Sequence, residues 1–114
     1  MEIAEAVTAV FAKYAVFTGR SSRPEFWWWI LFSYGVFVVL HLAKVIVSPI
    51  AGVLEALWSL ATLIPNISVA VRRLHDSGRS GWWWLLSFVP IVGWLVLIYW
   101  YCQPGTPRRN QYDL

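Results

Sequence analysis

At 114 residues the chain has room for one domain. Hydrophobic residues make up 59% of it and charged residues 13%, against about a quarter charged in an average soluble domain. The net charge of +3 sits in clusters beside apolar runs. That points to a membrane-orientation signal and away from a nucleic-acid surface, which needs a basic face on a soluble unit.

The mean hydropathy of +0.58 is modest for a membrane protein because nine residues are Trp. Trp belongs at the boundary between hydrocarbon and water, so the modest value and a membrane setting agree. Cys102 is the single cysteine, which excludes an internal disulfide. His41 and His75 fall near opposite ends of apolar runs and Cys102 has no companion ligand, so no metal site and no cofactor are expected.

Residues 1–18 read as an amphipathic helix. Ile3, Val7, Val10, Phe11, Tyr14 and Phe17 share one face, with Glu2, Glu5, Thr8 and Lys13 opposite. It is too short to span and is expected in the interfacial headgroup layer or packed on the bundle. Glu2 and Glu5 stand where a cleavable signal would carry basic residues.

A polar hinge, Thr18 to Arg23, leads into a first transmembrane helix at residues 24–47. Ser22 and Glu25 form a capping box, with Pro24 in the first turn. From Phe26 to Val47 the helix would cover about 33 Å, enough for a hydrocarbon core of about 30 Å. His41 and Lys44 fall in its last two turns, where Lys44 can snorkel. After the Ser48-Pro49 turn, residues 50–71 form a second transmembrane helix holding Glu55, Pro65 and Asn66. Pro65 has no N–H for the carbonyl of Ala61 and is expected to kink the helix. Glu55 lies near enough to the interface to reach Lys44.

Arg72 to Ser80 reads as a loop. Residues 81–102 read as a third transmembrane helix, kinked at Pro90 and Gly93, in preference to a re-entrant hairpin of two short halves. Residues 103–114 are a polar tail. The fold class is thus an all-α membrane protein: one interfacial amphipathic helix plus three transmembrane helices. Lys13, Arg20, Arg23, Arg72, Arg73 and Arg79 would share one side, against Lys44, Arg108 and Arg109, which places the N-terminus in the cytoplasm. A hairpin would bring Arg108 and Arg109 to the cytoplasmic side as well.

The sequence also echoes itself. Gly19-Arg20-Ser21 precedes Trp27-Trp28-Trp29, and Gly78-Arg79-Ser80 precedes Trp82-Trp83-Trp84. Arg20, Arg23 and the six Trp are read as interfacial anchors, with Arg at phosphate depth and the rings just below.

Four stretches carry a resemblance: Phe17-Thr18-Gly19-Arg20; Arg23-Pro24-Glu25-Phe26-Trp27; Val71 through Trp83; and Pro104-Gly105-Thr106 with Asn110 and Tyr112. On these the chain resembles the YhaH/YhaI-like bacterial inner-membrane family, domain of unknown function 805. Arg108-Arg109 and Asp113 depart from the family's usual tail. The resemblance implies an inner (plasma) membrane location and no established activity.

Arg72, Arg73, His75, Asp76 and Arg79 are the densest polar cluster and the candidate site for an anionic headgroup. His41, Lys44, Glu55 and Asn66 are intramembrane polar candidates. Gly52, Ala56 and Ser59 leave one face of the second span small enough for helix contact. The preferred reading is a non-enzymatic module binding anionic phospholipid or a membrane protein partner, or assembling as a homo-oligomer, with no nucleic-acid partner. The alternatives are an oligomeric channel or transporter subunit, with a path near Pro65, Asn66, Pro90 and Gly93, and a lipid-headgroup enzyme using His75 and Asp76.

Overall fold

The computed structural model describes residues 2–105 and is all-helical over them: α1 (Ile3–Ala12), α2 (Arg23–Ile46), α3 (Ala51–Asp76), a 3₁₀ segment (Gly81–Phe88) and α4 (Val92–Cys102). The Ser22 hydroxyl accepts the backbone N–H of Glu25 at 3.3 Å, with Pro24 in the first turn of α2, as the capping pattern requires. Only half of the capping box forms, because the Glu25 carboxylate is taken by Arg72.

Among the described residues, α2 and α3 are the two helices long and apolar enough to cross a membrane. At ~1.5 Å per residue they extend about 36 and 39 Å. They run antiparallel and are tied along their length. Arg72 meets Glu25 at 3.1 Å, Trp29 Nε1 donates to Asn66 Oδ1 at 2.7 Å, Trp58 Nε1 donates to the Ser33 carbonyl at 2.9 Å, and His41 Nδ1 lies 2.9 Å from Glu55.

α3 continues five residues past the boundary expected from hydropathy, so Arg72 to Asp76 are helix and not loop. Nothing in that stretch breaks a helix until Ser77-Gly78. There Gly78 takes the left-handed conformation (φ 78°), its N–H reaches the His75 carbonyl, and the Arg79 N–H reaches the Leu74 carbonyl, both at 2.9 Å. This is a Schellman stop, and glycine is the residue that enters it without strain.

Inside α3, Pro65 leaves the Ala61 carbonyl without its helical donor. The Tyr14 hydroxyl supplies the missing bond at 2.6 Å. Ser68 Oγ donates in turn to the Tyr14 carbonyl at 3.1 Å, which fastens the end of α1 to the same helix. α1 lies lengthwise on α2 with Ala6 and Val10 fully buried, and Phe11 meets Trp29 edge-on at 5.2 Å. Of the two placements its amphipathic pattern allows, the headgroup layer and the bundle, the structure has the second. The helix is also shorter than the pattern proposed.

The expected third transmembrane helix is not a single helix. Gly81–Phe88 is 3₁₀, Val89 is extended, Ile91 sits at φ 64°, and α4 starts at Val92. Pro90 constrains Val89 to extended backbone. A Cβ on Gly93 would lie 2.0 Å from the Leu86 carbonyl oxygen, so α4 begins directly against the 3₁₀ backbone. The chain therefore doubles back. Gly81 lies beside Val71 and His75, while Tyr101 packs on Phe26 with ring centroids 4.5 Å apart. Both ends of the segment thus reach the same end of the α2–α3 pair. Each arm is about 16 Å long, less than half of α2 or α3. This is the hairpin geometry, and it replaces the kinked single span.

The buried core is confined to that end: Val10, Phe26, Trp29, Val69, Leu74 and Leu97 belong to it. Towards the α2–α3 turn the helices are bare, with Val45, Ile46, Val47 and Ile50 all more than two-thirds exposed.

Candidate functional site: an arginine clasp

Three helix ends meet at the packed end of the molecule: the start of α2 and the finishes of α3 and α4. A helix N-terminus carries partial positive charge and a C-terminus partial negative charge. The side chains answer that pattern. Glu25 stands in the first turn of α2, and arginines gather on the two C-termini.

Arg73 is fully buried. Its Nη1 donates to Asp76 Oδ2 at 2.8 Å, its Nε to the Tyr101 carbonyl at 3.1 Å, and its Nη2 to the Gln103 carbonyl. It thus closes the last turn of α4, where carbonyls have no helical donor. Arg20 performs the same service for α3: Nε meets Asp76 Oδ1 at 2.7 Å and Nη2 donates to the Asp76 carbonyl at 3.3 Å. Arg23 Nη1 donates to the Cys102 carbonyl at 3.3 Å. Asp76 holds two guanidinium groups at once. It does not cap the segment after it; Ser80 Oγ does, accepting from the Trp82 N–H.

Arg72, also fully buried, pairs with Glu25 through Nη1, while its Nε and Nη2 are buried without a hydrogen bond among the described residues. His75 Nδ1 donates to the Gly19 carbonyl at 2.9 Å. His75 and Asp76, adjacent in sequence, are therefore turned to different partners.

Two glycines let the parts close. A Cβ on Gly81 would meet Val71 at 2.5 Å, and one on Gly105 would meet the Asp76 carboxylate at 2.3 Å. Arg79 differs from the other arginines. Its guanidinium lies over the Trp100 ring, 4.7 Å from the centroid, and no carboxylate pairs with it among the described residues. A stacked guanidinium keeps its donor edges free for an incoming anion.

The five proposed headgroup residues are thus brought to one end, but Arg73 and Asp76 are spent on each other and on helix-end carbonyls, and Arg72 is buried against Glu25. Among the proposed anchors, Trp29 is fully buried and bonded to Asn66; Trp28, Trp82 and Trp83 are exposed, and Trp27 and Trp84 half-buried. His41, Lys44 and Glu55 do assemble at the far end, Lys44 Nζ lying 2.9 Å from Glu55 Oε2. Asn66 stands apart from them, halfway along α3. Pro90 and Gly93 form the hairpin tip. Arg108 and Arg109 lie outside the described residues. Sequence reasoning missed Tyr14, Trp100 and the α4 carbonyls. Of these, only Tyr14 had a signal, the open carbonyl that Pro65 creates.

The stretches that carried the resemblance are the parts that meet here: Gly19-Arg20, Arg23 to Glu25, Arg72 to Gly81, and Gly105. Comparison with known proteins agrees. A family model described as "Protein of unknown function (DUF805)" matches residues 14–114. The Escherichia coli K12 inner membrane protein YhaI is 40% identical over 104 residues, covering 91% of this chain and 88% of that one. Inner membrane protein YhaH of the same strain is 38% identical over 107 residues, covering 90% and 88%. The uncharacterized protein YiiR is 39% identical over 92 residues, 78% of this chain and 59% of that protein. No solved structure matches.

Proposed function

The chain belongs to the DUF805 family of proteins of unknown function, and on that premise we propose that it is a non-enzymatic module of the bacterial inner membrane that holds anionic lipid headgroups at its clasp end through Arg79. Two relatives are named inner membrane proteins, and α2 and α3 are apolar and largely bare over their far halves. α2 and α3 cross the bilayer, and the hairpin enters it only part-way and returns. The link before α2 and residues 103–105 after α4 then lie on one side together with Arg20, Arg23, Arg72, Arg73 and Arg79, leaving Lys44 opposite. That asymmetry supports a clasp on the cytoplasmic side.

The observation that carries the lipid reading is Arg79 on Trp100. An interfacial ring with a guanidinium on its face sits at phosphate depth, and no carboxylate pairs with this arginine among the described residues. A headgroup enzyme would need His75 and Asp76 to act together, and their partners hold them apart.

Native mass spectrometry of the protein released from bilayers of mixed phosphatidylglycerol and phosphatidylcholine tests this. One basic contact at an anionic surface contributes about 1 kcal/mol, so Arg79→Ala should lower phosphatidylglycerol retention about fivefold. Retention equal to the wild type in that variant would refute the assignment.

A further inference from the structure

Halfway along α2 and α3, below the hairpin tip, polar groups line a cavity that the clasp does not use. It holds about 200 Å³ and is bounded by Ser33, Tyr34, Phe37, Trp58, Thr62 and Asn66. A second cavity of about 300 Å³, under the hairpin, shares Tyr34, Leu63 and Asn66 with it and extends to Tyr101. Ser33 and Tyr34 lie ten and eleven residues into α2, about 15 Å from its start, which is the middle of a bilayer that α2 crosses.

Three donors face this space without a partner among the described residues. The indole of Trp29 can only donate, so its 2.7 Å bond fixes the amide oxygen of Asn66 towards Trp29 and turns the amide NH₂ away from it. Among the described residues the Tyr101 hydroxyl makes no hydrogen bond although the residue is only 8% exposed, and the Tyr34 hydroxyl, on a residue 55% exposed, makes none either. The Thr62 and Ser33 hydroxyls are different, for their protons point back to carbonyls of their own helices. Unpartnered donors in hydrocarbon are costly, and their convergence on one cavity, Tyr34 and Asn66 at mid-depth and Tyr101 nearer the clasp, marks a place built to receive acceptors. No charged side chain lines either cavity, so the acceptor is neutral; Phe37, stacked on His41, and Trp58 line the first cavity with aromatic rings suited to a flat ligand.

We propose that this paired cavity binds a lipid-soluble quinone, its ring between the aromatic walls and its carbonyl oxygens on Asn66, Tyr34 and Tyr101. Carbonyls of phospholipid esters have the same acceptor chemistry but no ring and belong nearer the headgroups. The site is separable from the headgroup reading, since neither Tyr34 nor Asn66 touches the clasp and Tyr101 meets it through its backbone carbonyl alone.

The full chain in nanodiscs is titrated with decylubiquinone while tryptophan fluorescence is followed, with Trp58 and Trp29 near the ring. Saturable quenching is expected. Decylbenzene, a ring without carbonyls, and methyl decanoate, a carbonyl without a ring, should not relieve it. Tyr34→Phe removes one hydrogen bond and disturbs no contact in the fold, so the dissociation constant should rise about fivefold. Asn66→Leu should abolish saturation. Quenching that grows in proportion to quinone content and is identical in Tyr34→Phe would overturn the proposal, as would relief by either control compound. Phosphatidylglycerol retention should be normal in Tyr34→Phe, so the two readings fail separately.

Discussion

The two ends of the α2–α3 pair both carry ionic contacts between the helices, but they are built on opposite terms. At the clasp, Arg72 and Arg73 are fully buried and the carboxylates of Glu25 and Asp76 nearly so, with hydrogen bonds running on to the carbonyls of α4. At the far end, Glu55 is as buried as Asp76, 11% against 13% exposed, but the His41 and Lys44 side chains that it bridges are 50% and 38% exposed. Breaking a buried pair leaves a charge that nothing solvates, whereas an exposed pair exchanges its partner for water at little loss. An ion pair therefore means a structural joint at one end and, where its cation faces outward, a surface contact at the other.

The largest effect should follow from Arg73→Ala. It strands Asp76 beside Arg20 alone and uncaps α4, and removing one partner of a buried pair costs about 3–5 kcal/mol. The detergent-solubilised variant should lose most of its helical circular dichroism at a temperature where the wild type is intact. Arg73→Lys should recover only part of that, because a point charge cannot reach Asp76 and two carbonyls together. A variant as stable as the wild type would mean the joint lies elsewhere.

Gly93→Ala separates the hairpin from the span that hydropathy suggests. In a continuous helix the change would stabilise, by about 1 kcal/mol. In the hairpin the new Cβ meets the Leu86 carbonyl oxygen at 2.0 Å, and overpacking of that kind costs about 1–3 kcal/mol. The sign of the shift in thermal midpoint decides between them, and a fall is expected.

Tyr14→Phe should cost less, about 1 kcal/mol for one hydrogen bond. Its partner is a carbonyl left open by Pro65, so Pro65→Ala, which restores the helical donor, should shrink the Tyr14→Phe effect. A double-mutant cycle showing no coupling between positions 14 and 65 would remove that account.

What the sequence made legible was whatever one helix decides alone: the Ser22 start, the two long apolar runs, the open carbonyl at Ala61, the pairing of Glu55 with Lys44 across a short turn. What it hid depends on contacts between distant segments. Arg72 and Glu25 are 47 positions apart, and an arginine in a polar run reads the same whether it ends in water or fully buried. Residues 81–102 have the length and apolarity of a span either way, and the deciding fact is where Gly93 meets Leu86. Hydropathy also stopped α3 at the first arginine, although helix continues until a glycine ends it.

The smallest effect should come from Glu55→Gln, and it is the one that bears most directly on the contrast between the two ends. Glutamine keeps an acceptor within reach of His41 and Lys44 while removing the charge. Both partners already face outward, so each finds other hydrogen bonds when the carboxylate goes. The thermal midpoint should fall less than in Tyr14→Phe, and phosphatidylglycerol retention at Arg79 should not change, since the clasp shares no contact with this end. A loss from Glu55→Gln as large as that from Arg73→Ala would show that exposure is the wrong measure for pairs at a membrane boundary, where lipid and not water stands beside the half-open side chain.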